Sequence, residues 1–74
     1  MKTTSKISER LRIAIEADTP IVVQLTEQLT WLIASGMISV GETLPPIRQL
    51  ADEIGVHMHT VREAYHRLEA ANLV

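Results

Sequence analysis

Residues 47 to 66 read IRQLADEIGVHMHTVREAYH, and this pattern predicts two helices that cross at a tight turn, a helix-turn-helix. Small Ala51 lets the following helix cross closely, and Gly55 can take the positive φ that ends the first helix. A bulky side chain at either position should push the helices apart. Apolar residues stand where the two helices would meet: Leu50, Ile54, Val56, Val61 and Ala64. Such a unit presents its second helix, here called the reading helix, to a DNA major groove.

The composition favours one small helical domain. The chain has 74 residues, 46% of them hydrophobic, and its large aromatic side chains are limited to Trp31 and Tyr65. A chain of this length has a marginal core unless a partner or a further segment adds to it. Abundant Ala, Leu and Ile with few aromatic residues predict an all-α fold.

The cysteine content and the charge of the chain limit the functions it can have. The absence of cysteine excludes disulfides and thiolate zinc sites. Charged residues interrupt the N-terminal region before any long apolar run, which predicts a cytoplasmic protein without a signal peptide or membrane span. The net charge of -2 counts against a nucleic-acid binder, because phosphate neutralisation needs Lys and Arg. The distribution of charge along the chain is more favourable to DNA binding, because arginines and histidines cluster in or beside the helix-turn-helix. These residues are Arg48, Arg62, Arg67, His57, His59 and His66.

The N-terminal region predicts a helix of its own. Ile7, Leu11 and Ile15 recur at four-residue spacing among charged residues, which predicts a short amphipathic helix over residues 5 to 17. Two partners could cover this apolar stripe. Packing on the same domain is favoured over a dimer seam.

The rest of the chain divides into three more helices. Thr19 as N-cap and Pro20 at the first helical position predict a helix to about Ser35, with Gly36 as its stop. Trp31 on that helix is either core or a partly exposed edge. The segment 36–46 predicts an extended connector, and helices should follow from Ile47 to Gly55 and from about Met58 to residue 71 or 72. A capping box of Thr60 and Glu63 would start the last helix two residues later.

The reading helix has two faces. Val61, Ala64, Tyr65 and Leu68 form the apolar face, and His59, Arg62 and His66 form a polar stripe on the other side.

Arg62 on that stripe could bind a guanine edge or a phosphate, and we favour DNA contact over a surface ion pair with a carboxylate. Residues His57 to Thr60 stand at the helix start, where side chains reach base edges. Met58 could touch a thymine methyl group or simply pack beside the turn, and Glu63 with Arg67 predicts an ordinary surface ion pair. The histidines lack the further ligands of a metal site, so no metal and no cofactor are expected.

Three segments, taken in order, carry a family resemblance. They are PIVVQL at residues 20–25, LPPIRQLA at residues 44–51, and Gly55-Val56 followed by TVREAY at residues 60–65 with Leu68-Glu69 and residues 72–74. This ordered set resembles the N-terminal DNA-binding domain of the GntR family of bacterial transcription regulators.

The resemblance implies a winged helix-turn-helix over residues 19–74, with residues 1–18 as an N-terminal amphipathic extension. By the same resemblance, the β-wing and the C-terminal effector domain of the family are expected to be missing from these 74 residues. The implied partners are a double-stranded DNA operator and a second copy of the protein, with a small-molecule effector acting only through the absent domain.

The resemblance also implies residue roles. Arg48 matches an arginine that contacts DNA, Arg62 matches the arginine of the recognition helix, and Thr60 matches a threonine that meets the DNA backbone. Residues 57–59 depart from the family, which commonly has Ser or Thr, Arg and a small polar residue there. Pro46 stands where a serine often caps the next helix, so that cap must come from elsewhere.

Two functions remain open at this level. The leading hypothesis is sequence-specific DNA binding by a dimer at an operator, with the reading helix, about 58–71, in the major groove. The DNA-contacting set is Arg48, His57, Met58, His59, Thr60, Arg62 and His66. The alternative is a helical oligomerisation module that does not touch DNA. An enzyme is disfavoured, because no nucleophile with a base and no paired carboxylates appear.

Overall fold

Three α-helices form the described part of the chain, which comprises residues 7–37 and 44–73 of a computed structural model. A 3-10 helix at Ile7–Arg10 comes first, followed by α1 at Ile21–Ala34, α2 at Ile47–Ile54 and α3 at Met58–Ala70. These residues contain no strand, so the predicted all-α class is confirmed. Across the same residues, no helix has the length and apolar character needed to cross a bilayer.

The core lies where α1 and α2 pack against α3. Each helix contributes apolar side chains from one face, and the N-terminal region adds one more. The buried set is Leu11, Leu25, Leu29, Leu32, Ile33, Leu50, Ala51, Val61, Ala64 and Leu68. Ile54 and Val56 are partly buried against this cluster, as the helix-turn-helix pattern predicts. Burial of this single cluster supplies the main free energy that holds the helices together.

Residues 5 to 17 do not form the predicted amphipathic helix. Among the described residues 7–17, only Ile7–Arg10 are helical, as a 3-10 helix, and residues 11–14, which we call the strap, are not helical. Leu11 is buried and Ile13 packs against the core, whereas Ile15 is 65% exposed. The four-residue spacing therefore does not describe one face, although Leu11 packs on its own domain, as the favoured interpretation of the stripe predicts.

Two glutamines of α1 explain why the strap stays non-helical. Gln28 accepts a hydrogen bond from the N–H of Arg12 and donates to its carbonyl oxygen, at 2.6 and 2.7 Å. Gln24 does the same at Ala14, at 2.8 and 2.9 Å, and also donates to the carbonyl oxygen of Thr19. Side chains four residues apart on a helix are spaced about 6 Å, close to the spacing of about 6.6 Å of alternate residues in an extended chain. The glutamine amides thus replace the hydrogen bonds that a helix would have supplied.

The start of α1 also differs from the prediction. Pro20 occupies the N-cap position at φ -56° and ψ 147°, and no side chain caps the helix. This extended ψ places Pro20 outside the helix, so its carbonyl oxygen accepts from the N–H groups of Val23 and Gln24. The predicted N-cap role of Thr19 is therefore wrong. Trp31 is 62% exposed, which selects the edge position over the core.

The helix ends follow the predicted chemistry. Gly36 takes φ +84° after α1, where Met37 N–H donates to the carbonyl oxygen of Leu32. Gly55 takes φ +73° after α2. Asn72, at φ 60°, ends α3 in the same way, because the polar Asn side chain tolerates the left-handed region. The predicted connector at 36–46 falls partly outside the described residues.

Candidate nucleic-acid interface

The turn between α2 and α3 sets the crossing of the two helices. Ala51 is 2% exposed at this crossing, as its small size predicts. Gly55 differs from the prediction, because a Cβ built there would have no atom within 4 Å. A Cβ at Gly55 would therefore not push the helices apart. The glycine is needed for its left-handed backbone conformation instead.

The reading helix begins at Met58, with His57 as its N-cap residue. The N–H groups of Thr60 and Val61 donate to the carbonyl oxygen of His57, so the helical hydrogen bonds begin there. The alternative prediction, in which a capping box at Thr60 starts α3 two residues later, is therefore wrong. No side chain caps α3, so its first N–H groups point out of the helix without a side-chain partner.

The two faces of α3 are separated as predicted. Val61, Ala64 and Leu68 are buried against the rest of the core. The opposite stripe is exposed, and it consists of His59, Arg62 and His66. Every side chain of this stripe can donate hydrogen bonds, and Arg62 does so with a permanent positive charge.

Arg62 is paired with His59 and not with a carboxylate. Its Nη1 atom lies 3.0 Å from Nδ1 of His59, one helical turn away. The neighbouring carboxylate, Glu63, is engaged by Arg67 at 3.2 Å, which is the surface ion pair that the sequence predicts. The two pairs leave the guanidinium of Arg62 charged and uncompensated at the surface. Among the described residues, no acidic side chain neutralises it.

The other predicted contact residues occupy different environments. His57 is exposed, and its ring stacks on that of His59 with centroids 5.7 Å apart. Thr60 is half-buried. Met58 is also half-buried and packs against the core, which favours its packing interpretation. Arg48 is exposed in the first turn of α2.

Tyr65 is a structural residue that the sequence pattern placed only on the apolar face. Its hydroxyl donates a 2.7 Å hydrogen bond to the carbonyl oxygen of Pro45. Burial raises the pKa of Tyr65 from 10.0 to about 12, because the buried site disfavours the charged phenolate. The bond joins the middle of α3 to the residues just before α2, so it fixes the turn that carries Arg48 relative to the reading helix. The signal in the sequence is that the apolar face carries a tyrosine, whose hydroxyl needs a hydrogen-bond partner, and not a phenylalanine, which has no hydroxyl.

The geometry of the described residues also bears on two other kinds of site, a metal centre and a catalytic pocket. No group of three His, Asp or Glu side chains is arranged to hold a metal ion within residues 7–37 and 44–73. A surface groove of about 300 Å³ lies beside Trp31, away from α3, and is lined mainly by residues of α1 and of the N-terminal region. Its lining contains no nucleophile next to a base.

Comparisons with known proteins agree with this geometry. The model of the family described as bacterial regulatory proteins, gntR family, matches residues 21–74. The chain is 35% identical over 69 residues to the HTH-type transcriptional regulator Rv1152 of Mycobacterium tuberculosis (strain ATCC 25618 / H37Rv), covering 93% of this chain and 57% of that protein. It is 33% identical to the HTH-type transcriptional repressor YtrA of Bacillus subtilis (strain 168), covering 86% of this chain and 49% of that protein.

A solved structure is similar in both fold and sequence. YtrA from Sulfolobus acidocaldarius, a GntR-family transcription factor, superimposes with a TM-score of 0.79 at 42% identity. The match covers 84% of this chain and 66% of that one. The chain spans about half the length of the curated relatives it matches.

Proposed function

We propose, from the premise that this chain belongs to the GntR family of bacterial regulatory proteins, that it binds double-stranded DNA as part of a transcription regulator. The reading helix α3 would enter the major groove with its exposed stripe toward the bases. One observation carries this proposal. Arg62 stands exposed on the face of α3 opposite to its buried apolar residues, and no carboxylate of residues 7–37 or 44–73 pairs with it.

The proposal assigns contacts by position on the two helices. His57, His59, Arg62 and His66 would contact the groove, and Thr60 would meet the DNA backbone. All four groove residues are exposed, whereas half-buried Thr60 offers a hydroxyl beside the helix start. Met58 packs against the core and so has only its exposed part to offer to a thymine methyl group.

Arg48 would contact a phosphate from the start of α2. It is exposed in the first turn of α2, and the Tyr65–Pro45 hydrogen bond ties that turn to the reading helix. The uncapped N-terminus of α3 supports a second phosphate contact, because its free N–H groups and the positive end of the helix dipole favour an anion.

The finer features of the proposal follow the family. Two copies would bind a pseudo-palindromic operator, with each α3 in one major groove. Residues 19–74 would form the DNA-binding domain of a longer cytoplasmic regulator, with a wing and an effector-binding domain further along, and residues 1–18 would precede it. Nothing in the described residues supports a catalytic role for this segment.

The alternative, a helical oligomerisation module without DNA binding, loses one of its supports. That interpretation used the apolar stripe of Ile7, Leu11 and Ile15 together with the marginal core of so short a chain, and Leu11 is instead buried in the core of its own chain. The net charge of -2 still favours the module, whereas the exposed position of Arg62 on α3 favours DNA binding.

The matched pair Arg62 and Arg67 tests the proposed function. Both are exposed arginines of α3, but within the part of the chain that the structure describes only Arg67 has a carboxylate partner. Fluorescence anisotropy with a labelled duplex at low salt should show that Arg62→Ala weakens binding at least tenfold, whereas Arg67→Ala leaves it within about threefold. Binding should also fall steeply with salt, because phosphate contacts release counterions. A wild-type chain that binds no duplex, or equal losses for both variants, would overturn the proposal.

A further inference from the structure

The contact between Arg62 and His59 defines the protonation of the histidine ring. An arginine guanidinium only donates hydrogen bonds, so Nδ1 of His59, at 3.0 Å from Nη1 of Arg62, must accept. The proton of the neutral ring is then on Nε2. The pair therefore presents donors only: Nε2–H of His59 and the remaining N–H groups of Arg62.

The His59 ring has a second contact that limits its rotation. The His57 ring stacks on it with centroids 5.7 Å apart and an interplanar angle of 13°. His57 precedes α3 and His59 lies on its first turn, so the stack spans the helix start. A ring that is stacked on one side and bonded through Nδ1 has few orientations left.

The local charges leave Arg62 to this histidine. Glu63 is occupied by Arg67, and Arg62 has no carboxylate partner in the described parts of the chain. An exposed arginine without a partner samples many rotamers, and ordering it on binding costs side-chain entropy. A hydrogen bond that already holds the guanidinium reduces this cost.

We propose that His59 is a positioning and specificity-determining residue, which holds Arg62 so that its planar fork meets the O6 and N7 acceptors of a guanine. This proposal rests on the proposed function. Phosphate oxygens offer the same acceptor chemistry, but a phosphate contact tolerates a mobile side chain. A bidentate guanine contact requires a fixed plane, and the His59 bond supplies one. The Nε2–H of His59 remains free to donate to an acceptor on a neighbouring base.

The first arm of the test needs no DNA. Long-range ¹H–¹⁵N spectra of the free protein at pH 8, where histidines are ordinarily neutral, report which ring nitrogen carries the proton. We expect a single tautomer with the proton on Nε2 for His59, and a mixture for exposed His66, which serves as the internal control. Arg62→Met should return His59 to a mixture. A mixture at His59 in the wild type would overturn the proposal and leave the proposed function untouched.

The second arm measures specificity. A pool of random duplexes selects the preferred sequence of the wild type, and binding is then compared between that duplex and the unselected pool. His59→Ala should reduce this preference about fivefold, which corresponds to the ordering cost of one side chain. His59→Asn places an acceptor oxygen near the position of Nδ1 and should restore most of the preference.

The outcomes of the two arms separate the claims. An equal loss on preferred and random duplexes would mean that Arg62 contacts phosphate, and this would overturn the specificity role. An asparagine variant that behaves like the alanine variant would overturn the positioning role. A wild type that binds no duplex would overturn the proposed function, while the ring spectra would still report whether His59 and Arg62 form a pair.

Discussion

The hydroxyl of Tyr65 and the carbonyl oxygen of Pro45 form a 2.7 Å hydrogen bond that joins the middle of α3 to the residues just before α2. The core alone does not fix this approach, because α2 has only eight residues and buries just Leu50 and Ala51. One polar contact therefore helps to set where Arg48 stands relative to the reading helix. This makes Tyr65 a residue whose loss should affect both stability and DNA binding.

Tyr65→Phe keeps the ring and removes this hydrogen bond. We expect it to lower the free energy of unfolding by about 1 kcal/mol, because the carbonyl oxygen of Pro45 then loses its partner. Urea unfolding at pH 7, followed through the fluorescence of Trp31, measures the change. A variant as stable as the wild type would show that solvent replaces the bond at no cost.

The raised pKa of Tyr65 predicts a loss of stability in alkali. Its pKa is about 12 in the folded protein and 10.0 as its ordinary value, so the folded state holds the proton more tightly. The contribution is complete below pH 10 and is lost as the pH rises toward 12. Tyr65 is the single tyrosine of the chain, so ultraviolet absorbance of phenolate follows its titration directly. Tyr65→Phe should lack this part of the alkaline loss, and a wild-type titration at the ordinary value would contradict the prediction.

Gly55→Ala tests whether the turn needs space or backbone conformation. We expect a destabilisation of about 1 kcal/mol from the positive φ, with no displacement of α3, since a Cβ meets no atom there. Gly55→Asn should cost less, because asparagine tolerates the left-handed region. Equal losses for alanine and asparagine in urea unfolding would indicate that steric contact matters instead.

Gln24 is a polar residue that sequence alone would place at the surface. We expect Gln24→Ala to be the most damaging substitution of a residue of this kind. Gln24 is buried and makes three hydrogen bonds to the backbone of Ala14 and Thr19, so we expect a loss of about 2 kcal/mol. The amide proton of Ala14 should also exchange faster with solvent. Gln49→Ala is the matched control and should change stability by less than about 0.5 kcal/mol, because among the described residues the Gln49 amide bonds to the exposed carboxylate of Glu53 alone.

Arg48→Ala should weaken DNA binding without altering sequence preference. A phosphate contact contributes the same energy on every duplex, and its loss should reduce the slope of log affinity against log salt by about 0.9. Anisotropy titrations at several salt concentrations measure this slope. Arg12→Ala, on the strap and away from α3, should leave the slope unchanged, and an Arg48 variant with an unaltered slope would remove Arg48 from the interface.

The sequence predicted the helix-turn-helix closely because its signals are local. The glycine at position 55, the small residue at 51 and the apolar spacing on α3 each act within one or two helical turns. The bounds of α2 and α3 and the outward direction of Arg62 follow from these signals. The Glu63–Arg67 pair is equally local and is also confirmed.

The errors arose where distant residues decide the structure. Leu11 and Ile15 have helical spacing, but Gln24 and Gln28 hold the strap backbone from α1, and no pattern within residues 5 to 17 encodes that contact. The bond from Tyr65 to Pro45 likewise spans twenty residues along the chain. The pairing of Arg62 with His59 could not be predicted from sequence for a different reason. Three-residue spacing on a helix permits the contact but does not require it.

The glutamine-held strap has a consequence for exchanging DNA-binding heads between regulators. A chimaera cut at Thr19 would keep every residue of the helix-turn-helix, but it would strip Leu11 from the hydrophobic cluster and leave two α1 amides facing water. A transplanted DNA-binding domain should therefore start no later than Ile7. The transferable segment extends further toward the N-terminus than the recognition motif alone suggests.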